Sequence, residues 1–277
     1  MRYLLFICLA FFSACSPDQK SVKIKGSDTE VNLAVELAEA YSKHYSDVTL
    51  AVSGGGSGLG IASLYNGQAD IANSSRPLTD EEVQLFAEKG IKLHTHVFAQ
   101  DATAIVVNSA VNSDSIDVVT LGKILSGEIK NWKSISGQDL KINIYGRQSN
   151  SGTHSFIRKK LKIKFSENAK EMNGNAQILE GIKADQSGIG YVGAGYLLHG
   201  ADGGSNVKVL LIKDSATAKA ISPLDHAAIK QGIYYFQRPL YQFIPQGAWE
   251  KAKPFIDFEK TPEGKQLITN SGYYAID

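Results

Sequence analysis

The chain has 277 residues, of which 43% are hydrophobic and 21% charged, and its formal net charge is +1. That length exceeds the usual size of one domain and can fill two cores. So small a net charge excludes the broad basic field that draws in nucleic acid, and any charged ligand must be read by local groups.

The opening stretch MRYLLFICLAFFSAC sets Arg2 before an apolar run at 3–12, then Ser13 and Ala14 before Cys15. This is the pattern of an export signal, too short to span as a mature helix. Its FSAC ending resembles a bacterial lipoprotein box, with Phe12 where Leu is usual, and implies that Cys15 is lipidated and anchors the protein outside the cytoplasm. Cys8, the other cysteine, lies inside the signal, so the processed chain would carry one thiol and no internal disulfide. A plain secretory signal cut near Ala14 is the alternative.

After a polar tether at 16–21, VKIKGSDTEVNLAVELAEAYSKHY predicts a strand, a turn and an amphipathic helix. Val31, Val35 and Ala38, with Leu33, Leu37 and Tyr41 alongside, carry its period. Residues 48–52 form a second strand, followed by the loop SGGGSGLGI and a helix through Ile61, Leu64 and Tyr65. ADIANSSRPLTDEEVQLFAEKG gives a third strand, a polar loop and a helix opened by a capping box of Thr79 and Glu82. DATAIVVN at 101–108 and RPLYQFI at 238–244 read as two strands crossing between lobes. Between them fall a helix at 120–125, a strand at 141–146, the loop RQSNSGT, a helix from His154 and a strand at 188–192. The last stretch predicts two helices, the second opened by Thr261 with Pro262 at its first position. Repeated strand, loop and helix units argue for an α/β fold of mostly parallel sheets flanked by helices. In such sheets ligands sit at the C-terminal ends of the strands.

Three loops share one design, following a strand and opening a helix: GSDT at 26–29, GGGSGLG at 54–60 and SNSGT at 149–153. A helix start presents unpaired N–H groups and partial positive charge, which favour an anion. Glycine permits close approach, and Ser and Thr hydroxyls add uncharged donors. Taken singly, each such loop reads as an ordinary cap rather than a ligand site. Three in one chain, with Arg147 just before SNSGT and Arg76 in NSSRPL, point to an anion site.

Other chemistries fail on the residues. A phosphate-binding P-loop requires Lys and then Ser or Thr after its last glycine, and here Ile61 and Ala62 follow Gly60. No register of 54–60 fits the dinucleotide fingerprint. A hydrolase elbow at Ser57 would need glycine at 59, which is Leu. His154 could serve as a base, and His94 with His96 could bind a metal from a strand, but no cysteine or acidic cluster completes a ligand set, so no metal or cofactor is expected. Asp70 reads as structural, and Tyr234, Tyr235 and Tyr241 as core and crossing-strand residues.

KGSDTEVNLA, SGGGSGLGI, ADIANSSRPL, RQSNSGTHSF, GIGYV and RPLYQF occur in the order and spacing of the PstS-type phosphate-binding proteins of bacterial ABC transporters, and the chain resembles that family over nearly all of its mature length. The resemblance implies a two-lobed periplasmic binding-protein fold of type II, with lobes at 22–104 plus 236–277 and at 105–235, behind a signal at 1–15. It implies a monomer that closes on dehydrated inorganic phosphate and hands it to the permease subunits of the transporter, without catalysis. Arg147 would supply the main charge-assisted bond, and Ser151, Gly152 and Thr153 would donate backbone and hydroxyl hydrogens from the second lobe. Ser57, Gly58 and the Thr29 amide would donate from the first.

Two positions depart from the family pattern. Asp28 stands where many members carry Ser or Thr, and Ser75 and Arg76 stand where they carry an acidic residue. This reads as an exchange of roles in which Asp28 accepts the proton that phosphate carries and sulfate lacks, while Arg76 adds a second cation or pairs with Asp28. The alternative has Asp28 capping its helix and Arg76 in solvent. Competing functions are a receptor for sulfate or molybdate and a secreted hydrolase using Ser57 or Ser151. Micromolar binding needs about 8 kcal/mol and charged hydrogen bonds supply roughly 1.5 to 3 kcal/mol each, so donors from both lobes are needed.

Overall fold

The computed structural model describes residues 20–200 and 206–276. The leader and Cys15 lie outside the described residues. In chain order the first elements are β1 (Lys20–Gly26), α1 (Val31–His44), β2 (Val48–Ser53), α2 (Ser57–Tyr65), β3 (Ile71–Ser74), α3 (Asp80–Glu88) and β4 (Leu93–Asn108). Then come β5 (Ser115–Asp117), α4 (Val118–Leu125), α5 (Lys133–Ser136), β6 (Asn143–Arg147), α6 (Gly152–Leu161), β7 (Lys170–Met172), α7 (Asn175–Ala184), β8 (Gly188–Gly193) and α8 (Gly195–Gly200). The chain ends with β9 (Val207–Lys213), α9 (His226–Lys230), β10 (Gln237–Pro245), α10 (Trp249–Glu259), α11 (Pro262–Asn270) and β11 (Tyr274–Ala275). The expected tether is shorter than read, since Lys20 and Ser21 already pair with β2.

The strands run β2-β1-β3-β10-β4-β8-β6-β7, with β11 and β9 also on β4 and β5 on β9. Ladders within β2-β1-β3 and within β8-β6-β7 are parallel, because each strand is followed by a helix that returns the chain. The two crossing strands break that pattern. β10 is antiparallel to both β3 and β4, since one carries the chain out and the other brings it back. β4 is longer than the run at 101–108 suggests: it spans 16 residues, its first part pairing with β10 and its last with β8 and β9.

Apolar packing divides along the same line. One core joins Ile24, Leu33, Leu37, Phe98, Leu240 and Phe255, with a satellite around Ile61 and Phe243. The other joins Ile105, Leu121, Trp132, Ile157, Ile189 and Phe236, with a satellite around Tyr145 and Ile182. Helix α1 turns Leu33, Ala34, Leu37, Ala38 and Tyr41 inward, whereas Val35 is exposed. The stripe is therefore set one position away from the expected Val31–Val35 edge. The capping box of Thr79 and Glu82 forms as read, as does the Thr261 cap with Pro262 behind it. Helix α10 spans Trp249–Glu259 and contains Pro254.

Candidate functional site

The C-terminal ends of β1, β2, β3 and β6 point to one cleft, and the loops that follow them line it. Gly60 seats α2 directly on β1: a Cβ there would lie 2.5 Å from the Lys25 carbonyl oxygen. Gly56 turns the chain into that helix with φ of 99°, a left-handed conformation open to glycine. Neither α1 nor α2 has a side-chain cap. Asp28 is therefore not the cap of α1; its Oδ1 instead accepts from the Gly55 amide at 2.8 Å. Ser151 does cap α6, accepting from the His154 amide.

Contacts join the two sides of the cleft. Arg147, at the end of β6 and 2% exposed, donates from Nη2 to Asp28 Oδ2 across the cleft and to the Asn173 carbonyl at 3.0 Å. The Gly58 amide donates to the Asn150 carbonyl at 3.0 Å, and Asn150 Nδ2 donates to the Gly55 carbonyl at 3.1 Å. Thr29 and Thr153 hydroxyls meet at 3.0 Å. Gly152 faces the opposite side so closely that a Cβ would lie 2.3 Å from Ser57 Oγ and 2.5 Å from Ser75 Oγ. Ser57 Oγ accepts from the Ser75 amide at 3.1 Å, and Ser27 Oγ donates to Ser75 Oγ at 3.1 Å.

The structure thus gathers Asp28, Thr29, Ser57, Gly58, Ser75, Arg147, Ser151, Gly152 and Thr153, and leaves Arg76 out. Arg76 donates to both carboxylate oxygens of Glu82 at 2.7 Å and to the Pro77 carbonyl at 2.9 Å. The expectation that Arg76 supplies a second cation or pairs with Asp28 is corrected: a bidentate carboxylate six residues away claims its guanidinium. Two amides expected to face an anion also have protein partners, since Thr29 N–H lies 3.2 Å from Ser27 Oγ and Gly58 N–H goes to Asn150.

Several residues here were not singled out from the sequence. Asn150 bridges the cleft from the middle of SNSGT. Tyr196 Oη donates to the Asp28 carbonyl at 2.7 Å, Asn175 Nδ2 donates to the same oxygen at 3.2 Å, and Tyr273 Oη donates to the Thr29 carbonyl. These three fix the β1–α1 loop. Beneath it Arg238 and Asp101 form an ion pair, 3% and 0% exposed. Burial raises the Asp101 carboxyl, against the pull of Arg238. Burial also pushes Glu30, at the start of α1, up to about 8 despite Ser27 and Arg238 nearby. The readable signal was a charged residue opening each of two apolar strand runs, Asp101 in DATAIVVN and Arg238 in RPLYQFI.

The other candidates take structural roles. The ring of His154 packs on Phe165 with centroids 4.6 Å apart, and burial lowers its pKa. His94 stacks on Trp249 and hydrogen-bonds Gln246 at 2.6 Å. Among the described residues no group of three His, Cys, Asp or Glu could hold a metal ion. Asp70 accepts from the Lys23 amide and from Lys251, both at 2.8 Å, at the end of β3 away from the cleft. Tyr234 is buried and donates to the Thr103 carbonyl.

Helix starts from both strand groups, converging on the buried Arg147, define a two-sided binding cleft. A model of the PBP superfamily domain matches residues 13–261. The Phosphate-binding protein PstS of Staphylococcus saprophyticus is 31% identical over 263 residues, covering 92% of this chain and 80% of that protein. An ABC-type phosphate transport receptor from Vibrio cholerae superimposes with a TM-score of 0.72 at 30% identity, covering 92% of this chain and 100% of that one. A Clostridium perfringens substrate-binding protein with bound phosphate reaches a TM-score of 0.82, covering 93% of this chain and 100% of that one; at 23% identity it speaks for the fold alone. The chain belongs to the PstS-type phosphate-binding proteins of the PBP superfamily.

Proposed function

We propose that this protein captures inorganic phosphate outside the cytoplasm, in a cleft closed from both sides, and delivers it to the permease of an ABC transporter. The observation that carries the reading is Arg147, buried and aimed across the cleft at the β1–α1 loop, among helix starts rich in hydroxyls and amides. Family membership supports the same ligand. Arg147 supplies the charge-assisted bond. Ser57, Ser75, Ser151, Gly152 and Thr153 supply neutral donors, and Asp28 accepts the proton of phosphate, which fully ionised sulfate does not offer. That acceptor argues against a sulfate or molybdate receptor. Rearrangement of Asn150 frees the Gly58 amide for the anion.

The division of the apolar cores supports two lobes that meet between Ala99 and Ala102 on β4 and between Phe236 and Leu240 on β10, a few residues from the 104/105 and 235/236 boundaries expected, with binding coupled to closure that the permease reads. In this reading the protein works as a monomeric receptor, with Ser57 Oγ engaged by Ser75 and Ser151 Oγ capping α6. Lipid on Cys15 holds it at the membrane surface. Calorimetry tests the whole reading. Phosphate binds tightly and sulfate weakly; equal affinity for the two anions removes the acceptor role of Asp28, and absence of phosphate binding removes the function.

A further inference from the structure

Arg238 and Asp101 are register partners on the antiparallel strands β10 and β4, at the level where both pass from one core to the other. Arg238 Nε and Nη2 donate to Asp101 Oδ2 at 3.0 and 2.8 Å. The same Nη2 lies 3.2 Å from Thr29 Oγ1 and 3.0 Å from Thr153 Oγ1, the two hydroxyls that meet across the cleft. The guanidinium carbon also sits 5.0 Å from the ring centroid of Phe156 in α6. One cation at the crossing therefore touches the start of α1, the start of α6 and both crossing strands.

We propose that Arg238 is a positioning residue of the phosphate clamp: it orients the Thr29 and Thr153 hydroxyls and locks the two sides together when they close. The inference rests on the phosphate reading above. Asp101 neutralises the charge of Arg238, so it does not act as a second cation for the ligand. Its effect is directional. Nη2 has two hydrogens and three acceptors, so the threonine oxygens share what Asp101 leaves. Each threonine oxygen then accepts from Arg238 and must turn its own O–H elsewhere. One of the two donates to the other, and a single hydroxyl hydrogen remains for an acceptor in the cleft. An arginine fork can hold Asp101 with two nitrogens while turning one toward both threonines; a lysine ammonium lacks that geometry. The triangle also requires Thr29 and Thr153 to be side by side, so it forms only in the closed arrangement.

A buried ion pair that merely tied β4 to β10 would affect folding and leave the hydroxyls uncoupled. A double-mutant cycle separates the two roles. Phosphate affinity is measured by calorimetry on the processed protein for wild type, Arg238→Gln, Thr153→Val and the double variant. Since Arg238→Gln strands Asp101, Asp101→Asn/Arg238→Gln is run alongside, with melting temperatures for all; Thr153→Val leaves the ion pair intact. Arg238→Gln is expected to weaken phosphate about 10- to 100-fold, the scale of hydrogen bonds to a charged group. Once Thr153 is Val, the same arginine change is expected to cost several-fold less than it does in wild type, because only the Thr29 hydroxyl remains for it to orient. Wild-type binding with fully multiplicative effects overturns the inference alone, as does unchanged affinity in Asp101→Asn/Arg238→Gln. Wild-type protein that binds no phosphate overturns the functional reading and the inference together.

Discussion

The two sides of the cleft are built alike and charged differently. Each presents helix starts, glycines and hydroxyls at the C-terminal ends of parallel strands. The side formed by β1, β2 and β3 brings a carboxylate, Asp28, while its arginine in the loop after β3, Arg76, is held by Glu82. The side formed by β6 and α6 brings Arg147 and hydroxyls, with no acid among its expected ligand residues. Only one side brings a cation and only the other an acceptor carboxylate, so the two supply different parts of the proposed phosphate site.

Removing the cation should break this division most severely. Arg147→Ala is expected to lower phosphate affinity by on the order of 100-fold or more, from two lost charge-assisted bonds, in a calorimetric titration; a loss under about threefold would show the charge comes from elsewhere. Next in size is the acid of the opposite side. Asp28→Asn keeps the shape and can donate, so the phosphate-to-sulfate affinity ratio should fall roughly tenfold, read by competition between the two anions.

The buried carboxyl of Glu30 tests the first side through stability. Its folded pKa, raised to about 8 from 4.5, means the folded state favours the protonated form. The stabilisation is full below pH 4.5 and is lost as pH rises through 8. Glu30→Gln stays neutral at every pH, so its melting temperature should gain on wild type by a few degrees between pH 5 and 8; parallel curves would show Glu30 ionised throughout. The smallest effect belongs to Arg76→Ala. Phosphate affinity should change less than about twofold, with about 1 kcal/mol or less lost at the start of α3; a tenfold affinity loss would return Arg76 to the site.

Much of the fold was legible because its signals are local. The Thr79–Glu82 box, the Thr261–Pro262 start and the short parallel strands each depend on residues a few positions apart. Val35 shows the limit: period alone left two neighbouring stripes open on α1, and packing against the other elements of its core chose between them. The site was legible as a set of loops but not as a set of pairings. Asp28 and Arg147 are 119 residues apart, and Arg238 and Asp101 are 137 apart. Glu82 holds Arg76 from six residues away, whereas nothing local marks Arg147 as the arginine that meets Asp28 in the cleft.

From the amino-acid order come an α/β chain of strand, loop and helix units, three anion-suited helix starts, a glycine loop unlike a nucleotide cradle and the family resemblance. These follow from spacing and residue type, which are properties of short segments. Tertiary structure alone decided which arginine faces the cleft, that Asp28 meets Arg147, that Asn150 takes the Gly58 amide and that Arg238 lies under both threonines. Those outcomes depend on which loop ends a folded sheet brings within 3 Å, and a hydrogen bond or ion pair has no strength until that distance is set.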